Sequence, residues 1–411
     1  MQRLRFKADD GSPFPDWKEK KIVDIFFRVK DKNKDGQNQN IITNSAEFGL
    51  INQRDFFDKD IAVDGKTENY TVIKTGDFVY NPRKSKQAPY GPFNCYQLEE
   101  DGIVSPLYTC LRPKGNADDE YLHWYFQSGS WYRFIYENGA QNGARHDRVG
   151  MTDSLMQEIP VYLPRAVEEQ QKIAVFLSTI DIVIGKQKET VYAWEERKKG
   201  VMQKLFSQEV RFKDDDGSEF PDWEEKKLGD CCSLITKGTT PKEYPENGDV
   251  NFVRIDCIEN GSINISKCLK INEQIHNGEL ARSVLKENDL LCSIAGALGV
   301  VTVVNKDILP ANTNQALAIL RLYESENVQY ISKTLSSYIM KKYIRECKTV
   351  GAQPNLSLGQ MRDLIIPYPC SEEQQKIADC LSSLDEVIEK QKATLAAWEE
   401  MKKGLLQQMF V

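Results

Sequence analysis

Long apolar runs are missing from this chain of 411 residues, and histidine is scarce. No stretch reaches the roughly 18 consecutive apolar residues that a membrane-crossing helix needs, so no membrane role is expected. The segment Met1-Gln2-Arg3-Leu4-Arg5-Phe6-Lys7 lacks the apolar centre of an export signal, which points to a cytoplasmic protein. The three histidines, His123, His146 and His276, lie at no ligand spacing from one another or from a C-x-x-C pair, so no metal site is expected. The ten cysteines hold one tight pair, Cys231 and Cys232, and reduced thiols are the expectation for a long chain without an export signal. A basic excess is also missing. The formal net charge of −7 argues against nucleic-acid binding, but that objection weakens where acidic groups stand far from a basic groove, because charge is screened over roughly 10 Å. Catalytic signatures are absent too: the sequence has no G-x-x-x-x-G-K-[ST] phosphate loop and no H-E-x-x-H. Asn81-Pro82-Arg83 and Gly296-Ala297-Leu298-Gly299 fit neither the target-amine motif nor the cofactor loop of an adenine methylase.

What the chain does have is a copy of itself. Arg5-Phe6-Lys7, followed by Phe14-Pro15-Asp16-Trp17 and Lys20-Lys21, returns as Arg211-Phe212-Lys213, Phe220-Pro221-Asp222-Trp223 and Lys226-Lys227, an offset of 206 residues. The block from Glu168 to Phe206 returns from Glu372 to Phe410 with about two thirds of its positions identical and an offset of 204. Between these blocks the halves agree faintly, as in Gly76-Asp77-Phe78 against Asn288-Asp289-Leu290. A repeat of this kind decides the architecture before anything else does: a common scaffold carries two different globular parts.

The repeated block reads as a heptad helix. Ile173, Leu177, Ile180, Ile184, Gln187, Val191 and Trp194 fall at alternating spacings of four and three, and Ile377, Leu381, Leu384, Ile388, Gln391, Leu395 and Trp398 repeat the phase. Lys198 and Lys402 continue both seams. Such a narrow stripe needs a partner helix, and two matching stripes in one chain make each other the obvious partner. Each helix is roughly 58 Å long at about 1.5 Å per residue. Ser371 with Gln374 predicts a capping box at the start of the second helix.

The expected organisation is a mixed α/β chain with globular domains at 1–166 and 209–370 and spacer helices at 167–208 and 371–411. Strands are expected at Phe78–Tyr80, Asn251–Ile255 and Gly299–Val304, and helices over Asp119–Tyr136 and Val328–Glu346. Two basic, amide-rich loops mark the first domain, with Asn81, Arg83, Lys84, Lys86 and Tyr90 in one and Arg145 and Arg148 in the other. The second domain offers Lys237, Thr239, Thr240, Arg254, Asn314, Gln315, Gln353 and Asn355. Arg and Lys neutralise phosphate and bond guanine edges, and Asn and Gln read adenine, so these are candidate DNA contacts.

Taken together, the paired F-P-D-W segments, the G-D-F and N-D-L strand entries and the paired Glu-Gln-Gln-Lys-Ile-Ala helices resemble the specificity subunits of Type I restriction-modification enzymes over essentially the whole chain. The resemblance implies two target-recognition domains joined by an antiparallel coiled coil with a pseudo-two-fold repeat. It further implies a non-catalytic subunit that reads an asymmetric, bipartite site on double-stranded DNA. Two modification subunits would carry S-adenosylmethionine for adenine methylation, and optional restriction subunits would carry ATP and magnesium. The competing classes are a coiled-coil adaptor that touches no DNA and a stand-alone DNA-modifying enzyme. The ruler role is testable. Four residues inserted near Gln187 and again near Gln391 lengthen the spacer by about one turn, and selection from random duplexes should return a wider gap between unchanged half-sites.

Overall fold

The computed structural model describes residues 4–56, 67–139, 147–242, 248–347 and 355–410. The chain forms two compact units, Met1–Glu189 with Ala393–Val411, and Thr190–Lys392. In the first unit an antiparallel sheet runs in the order Phe26–Arg28, Thr109–Pro113, Phe78–Tyr80, Phe93–Cys95. Its strands are short, and they carry aromatic and β-branched residues suited to a covered face. There Phe78 packs edge-on against Phe126, and Tyr80 and Phe93 pack edge-on against Trp131. Helices Asp119–Ser128 and Tyr132–Asn138 supply Phe126 and, at the cap of the second, Trp131. The single helix expected over this stretch is two, because Gly129 takes the left-handed conformation (φ 73) that ends the first.

The second unit repeats this order. Cys232–Lys237, Leu317–Leu322, Leu290–Ser293 and Val301–Val303 form the equivalent sheet, and helices Val328–Leu335 and Tyr338–Cys347 follow. These too are separate, interrupted where the Ser337 hydroxyl donates to the Thr334 carbonyl (2.6 Å) and accepts from the amide of Ile339 (3.1 Å). The unit adds a three-stranded sheet in which Val250–Val253 pairs antiparallel with Leu269–Ile271 and parallel with Ala311–Thr313. Similar topology therefore underlies segments whose sequences agree only faintly.

The repeated residues build the same clamp twice. Arg5 donates from Nε and Nη2 to the two carboxylate oxygens of Glu169, both at 3.0 Å, and from Nη2 to the carbonyls of Phe14 and Pro15. Arg211 grips Glu373 in the same bidentate way (3.2 and 2.7 Å) and reaches the carbonyls of Phe220 and Pro221. Both glutamates are fully buried, so their charge needs this fork to offset its lost hydration. Trp223 Nε1 adds a third bond to Glu373 at 2.8 Å. The F-P-D-W turn is thereby tied to the first turn of a long helix. Next to each clamp a two-stranded sheet closes, Lys18–Lys21 on Pro160–Leu163 and Glu224–Lys227 on Ile365–Tyr368. The strand-entry motifs form a second repeated pair: Asp77 binds Arg112 (2.7 and 2.8 Å) and Asp289 binds Arg321 (2.8 and 2.7 Å).

The long helices span Val167–Phe206 and Ser371–Met409. Ile173, Leu177, Ile180, Ile184 and Val191 are buried, as are Ile377, Leu381 and Ile388, while Gln187, Trp194, Leu384, Gln391, Leu395 and Trp398 are half-buried. In the first unit Ile173 and Leu177 share a core with Met409 and Phe410, and in the second Leu205 and Phe206 share one with Ile377 and Leu381. Ion pairs fix the direction within each unit. Asp181 meets Lys402 and Lys188 meets Glu399 (3.0 Å) in the first; Glu195 meets Lys392 (2.9 Å) and Lys198 meets Asp385 in the second. Advancing along one helix retreats along the other, so the helices run antiparallel in each unit. The lysines that interrupt both apolar seams are thus ion-pair positions. The second helix opens differently from expectation: Ser371 already lies inside it, and the Gln374 side chain donates to the carbonyl of Pro369 (2.8 Å), as Gln170 does to Pro164 (2.8 Å).

Two measurements test these assignments. Glu373→Ala leaves the Arg211 fork and Trp223 Nε1 without their buried acceptor and should destabilise the second unit by about 2–4 kcal/mol; denaturant unfolding should show this, whereas Glu209→Ala, at an exposed pair, changes little. His123 is held at about 4, below its ordinary 6.5, by burial and by the nearby ammonium of Lys402, and its Nδ1 has no hydrogen-bond partner among the described residues. A histidine that resists protonation when folded binds protons better when unfolded. This contribution to stability is therefore complete above about 6.5 and falls toward pH 4 by up to about 1.4 kcal/mol per pH unit. A pH series of urea midpoints should lose that slope in His123→Leu.

Candidate nucleic-acid interface

In the first unit the two basic loops that the sequence separates by some sixty residues are joined. Arg83 and Arg148 face each other across an isolated antiparallel bridge. Amide-to-carbonyl bonds from Lys84 to Asp147 (2.9 Å) and from Val149 to Pro82 (2.8 Å) hold the two segments together. Asp147 lies 3.8 Å from Arg83 Nε and 4.0 Å from Arg148 Nε. The bridge borders a groove of about 490 Å³ lined by Asn44, Ser45, Gln53, Tyr70, Asn81, Arg83, Lys84, Gln87, Tyr108 and Arg148, among others.

The floor of this groove is set by internal hydrogen bonds. Asn44 donates to the carbonyl of Val79 (2.7 Å) and accepts from Asn94 (2.6 Å). Asn81 donates to the carbonyl of Asn44 (3.1 Å), and its oxygen accepts from the amide of Arg83 (3.0 Å). Asn81 is therefore engaged in shaping the loop. Lys86 is exposed on the same loop but does not line the groove, and Tyr90 packs its ring on Tyr132 at 5.1 Å. Arg145 lies outside the described residues, as does Gln353 in the other half.

In the second unit the candidate loops also converge. The amide of Thr239 donates to the carbonyl of Thr313 (3.0 Å), and the Thr240 hydroxyl donates to Gln315. Gly238 permits this approach, because a Cβ there would stand 2.1 Å from the Thr313 carbonyl oxygen. Val253 pairs with Thr313 in parallel register, so Arg254 and Asn314 leave the sheet side by side. Arg254 turns to Asp256 (2.6 Å). Lys237 ends the strand that pairs with Leu317–Leu322, and Asn355 is exposed. Arg282, which the sequence reading did not single out, donates to the Thr239 hydroxyl (2.9 Å). Asn44, Gln53, Tyr70 and Tyr108 escaped the reading in the same way. They reach the first groove from a strand, a short helix and separate loops, and no local spacing links them to Arg83.

A second repeated feature lies along the helices. In the first unit Asp181, Ile184, Lys188, Glu399, Lys402 and Lys403 border a groove of about 340 Å³, closed by Gln127, Ser128 and Tyr132. In the second unit Asp385, Ile388, Lys392, Glu195, Lys198 and Lys199 border one of about 460 Å³, closed by Ser336, Ser337 and Tyr338. The helix residues of these grooves are the same residues of the repeat. No cluster of metal-ligating side chains occurs among the described residues, and none of the described helices is long and apolar enough to cross a membrane.

Comparisons with known proteins agree with this layout. The specificity subunit of the Type I restriction enzyme MjaVIII of Methanocaldococcus jannaschii is 27% identical over 321 residues, covering 75% of this chain and 73% of that protein. The MjaIX specificity subunit of the same organism is 26% identical over 212 residues, which covers 50% of this chain and 48% of that protein. Among solved structures, a chain from a study of complex assembly and conformational transition in a type I R-M system matches with a TM-score of 0.58 at 16% identity, over 96% of this chain and 98% of that one. The S subunit from M. genitalium matches with a TM-score of 0.53 at 16% identity, over 100% and 99%. These two likenesses concern the fold. A family model described as the Type I restriction modification DNA specificity domain matches residues 221–397. The internal repeat carries the same framework into the first half, and over most of its length the chain is similar to the specificity subunits of Type I restriction-modification enzymes.

Proposed function

We propose that the chain selects an asymmetric, two-part sequence in double-stranded DNA, each unit reading one half, and that it does so without chemistry of its own. What carries this reading is the contrast within the repeat. The clamps, the sheet order and the helix residues recur, while the loops above the sheets differ: Arg83, Lys84 and Arg148 border the first site, and Thr239, Thr240, Gln315 and Arg282 meet in the second. Unlike loops on like frames give unlike half-sites, since base edges are told apart by donor and acceptor pattern. The net charge of −7 is compatible with this, because phosphate responds to the field within about 10 Å.

The twin grooves along the helices support two partner subunits per chain, one on each copy of the Asp, Ile, Lys, Glu, Lys, Lys set. In this reading the partners are modification subunits that bind S-adenosylmethionine and methylate adenine; restriction subunits, where they join, use ATP and magnesium. The helices then fix the gap between half-sites. The experiment is a selection from random duplex DNA by the chain assembled with its modification subunits, alongside the chain alone. The expected product is two unlike half-sites at one fixed gap. Enrichment of nothing in either state would make the chain an adaptor, and methyl transfer by the chain alone would make it an enzyme.

A further inference from the structure

We infer that the half-site read by the first unit contains guanine at two neighbouring base pairs, and that Arg83 and Arg148 read them as a side-by-side pair of forks. This rests on the DNA-reading function proposed above and names the bases it selects. The bonds that flank the bridge, Lys84 to Asp147 and Val149 to Pro82, make Arg83 and Arg148 the non-hydrogen-bonded kind of antiparallel pair. In such a pair the Cα atoms stand only about 4.5 Å apart and both side chains leave the same face. That spacing is commensurate with the rise of about 3.4 Å between stacked base pairs.

Two like charges placed directly opposite each other destabilise a strand pair, and little here relieves them. Asp147 is shared between them at 3.8 and 4.0 Å, too far for a hydrogen bond to either fork. Elsewhere in the chain the arginines that shape the fold have their forks filled, as Arg112 is by Asp77 and Arg321 by Asp289. Among the described residues no hydrogen bond fills the guanidinium fork of Arg83 or Arg148, which leaves their donors for a ligand. Arg83 is well exposed, with a side chain 68% accessible.

The neighbouring amides narrow the choice of base. Asn44 and Asn81 stand at the same groove, yet both ends of each side chain are already bonded within the protein. A bidentate amide contact to adenine is therefore closed at these two positions. Beside Lys84, Gln53 and Gln87, the groove keeps the two guanidinium forks open, and the match of such a fork on a base edge is the O6 and N7 pair of guanine. Charge alone would equally hold phosphate, so the test must separate base reading from backbone binding.

The full complex with its modification subunits is used for selection from random duplexes, as wild type and as Arg83→Ala, Arg148→Ala and Arg148→Lys. The wild type should return adjacent guanines in one half-site. Each alanine variant should lose discrimination at one of those positions, a different one for each, by about 10- to 100-fold, with the other half-site untouched. Arg148→Lys keeps the charge but not the fork, so it should lose the base preference and retain the salt dependence. A wild-type half-site without neighbouring guanines overturns the inference. So does a uniform loss of affinity with an unchanged sequence preference and a salt slope reduced by about one, which marks a phosphate contact. If the wild-type complex enriches no two-part sequence, the function proposed above fails as well; if it enriches one that the variants leave unaltered, only the guanine assignment falls.

Discussion

The buried carboxylate gripped by an arginine fork is the constraint on which the rest of this molecule hangs. Glu169 and Glu373 have no access to solvent, and a charge in that position is tolerated only when its oxygens are fully bonded. Arg5 and Arg211 meet that need, and each also collects the carbonyls of the Phe-Pro turn ten residues on. One side chain thereby joins three pieces of chain: the entry strand, the aromatic turn and the start of a long helix. The position of each sheet follows, because the strand after the turn pairs with the strand that leads into the same helix. Removing the fork from this geometry would leave the buried carboxylate without its charge partner, while single polar contacts such as Trp124 to Ser178 and Asn327 to Gln375 still join each globular part to its helix.

Much of this was legible in the sequence, and for a physical reason. Repetition and heptad spacing are one-dimensional signals, so the twin helices, their apolar seams and the mixed α/β parts between them could be read directly. The polar interruptions in those seams could be located but not explained. Only the structure shows that Lys198 and Lys402 bind Asp385 and Asp181. Helix interruptions were missed at Gly129 and Ser337, where a single backbone conformation or hydroxyl bond ends a run whose composition favours continuing. The site was half legible. Arg83 and Arg148 stood out as basic loops, but the bridge between them is a tertiary contact that no local pattern encodes. The internal use of Asn81 is likewise invisible until its partners are in place.

The two halves reach the same topology by different packing. The sheet of the first unit is covered by rings, with Phe26, Phe78, Phe93, Phe126 and Trp131 in mutual contact. The corresponding core in the second unit is mainly aliphatic, with Leu290, Cys292, Ala318, Leu320 and Ile331 buried and Tyr330 and Phe206 as its buried rings. A sheet layer accepts either solution provided that volume and patterning are kept. This explains how two cores with little common sequence carry the same strand order, while the clamps and helices, whose bonds depend on specific atoms, vary much less.

That difference gives the halves different optical signatures. Trp124 and Trp131 are buried in the first unit, where Trp131 is surrounded by other rings, whereas Trp223 of the second unit is half-buried with its indole nitrogen on the Glu373 carboxylate. Near-ultraviolet dichroism, which arises from rings held in asymmetric contact, is thus concentrated in one half of the molecule. The near-ultraviolet signal of the unlabelled chain therefore reports mainly on the order of its first half.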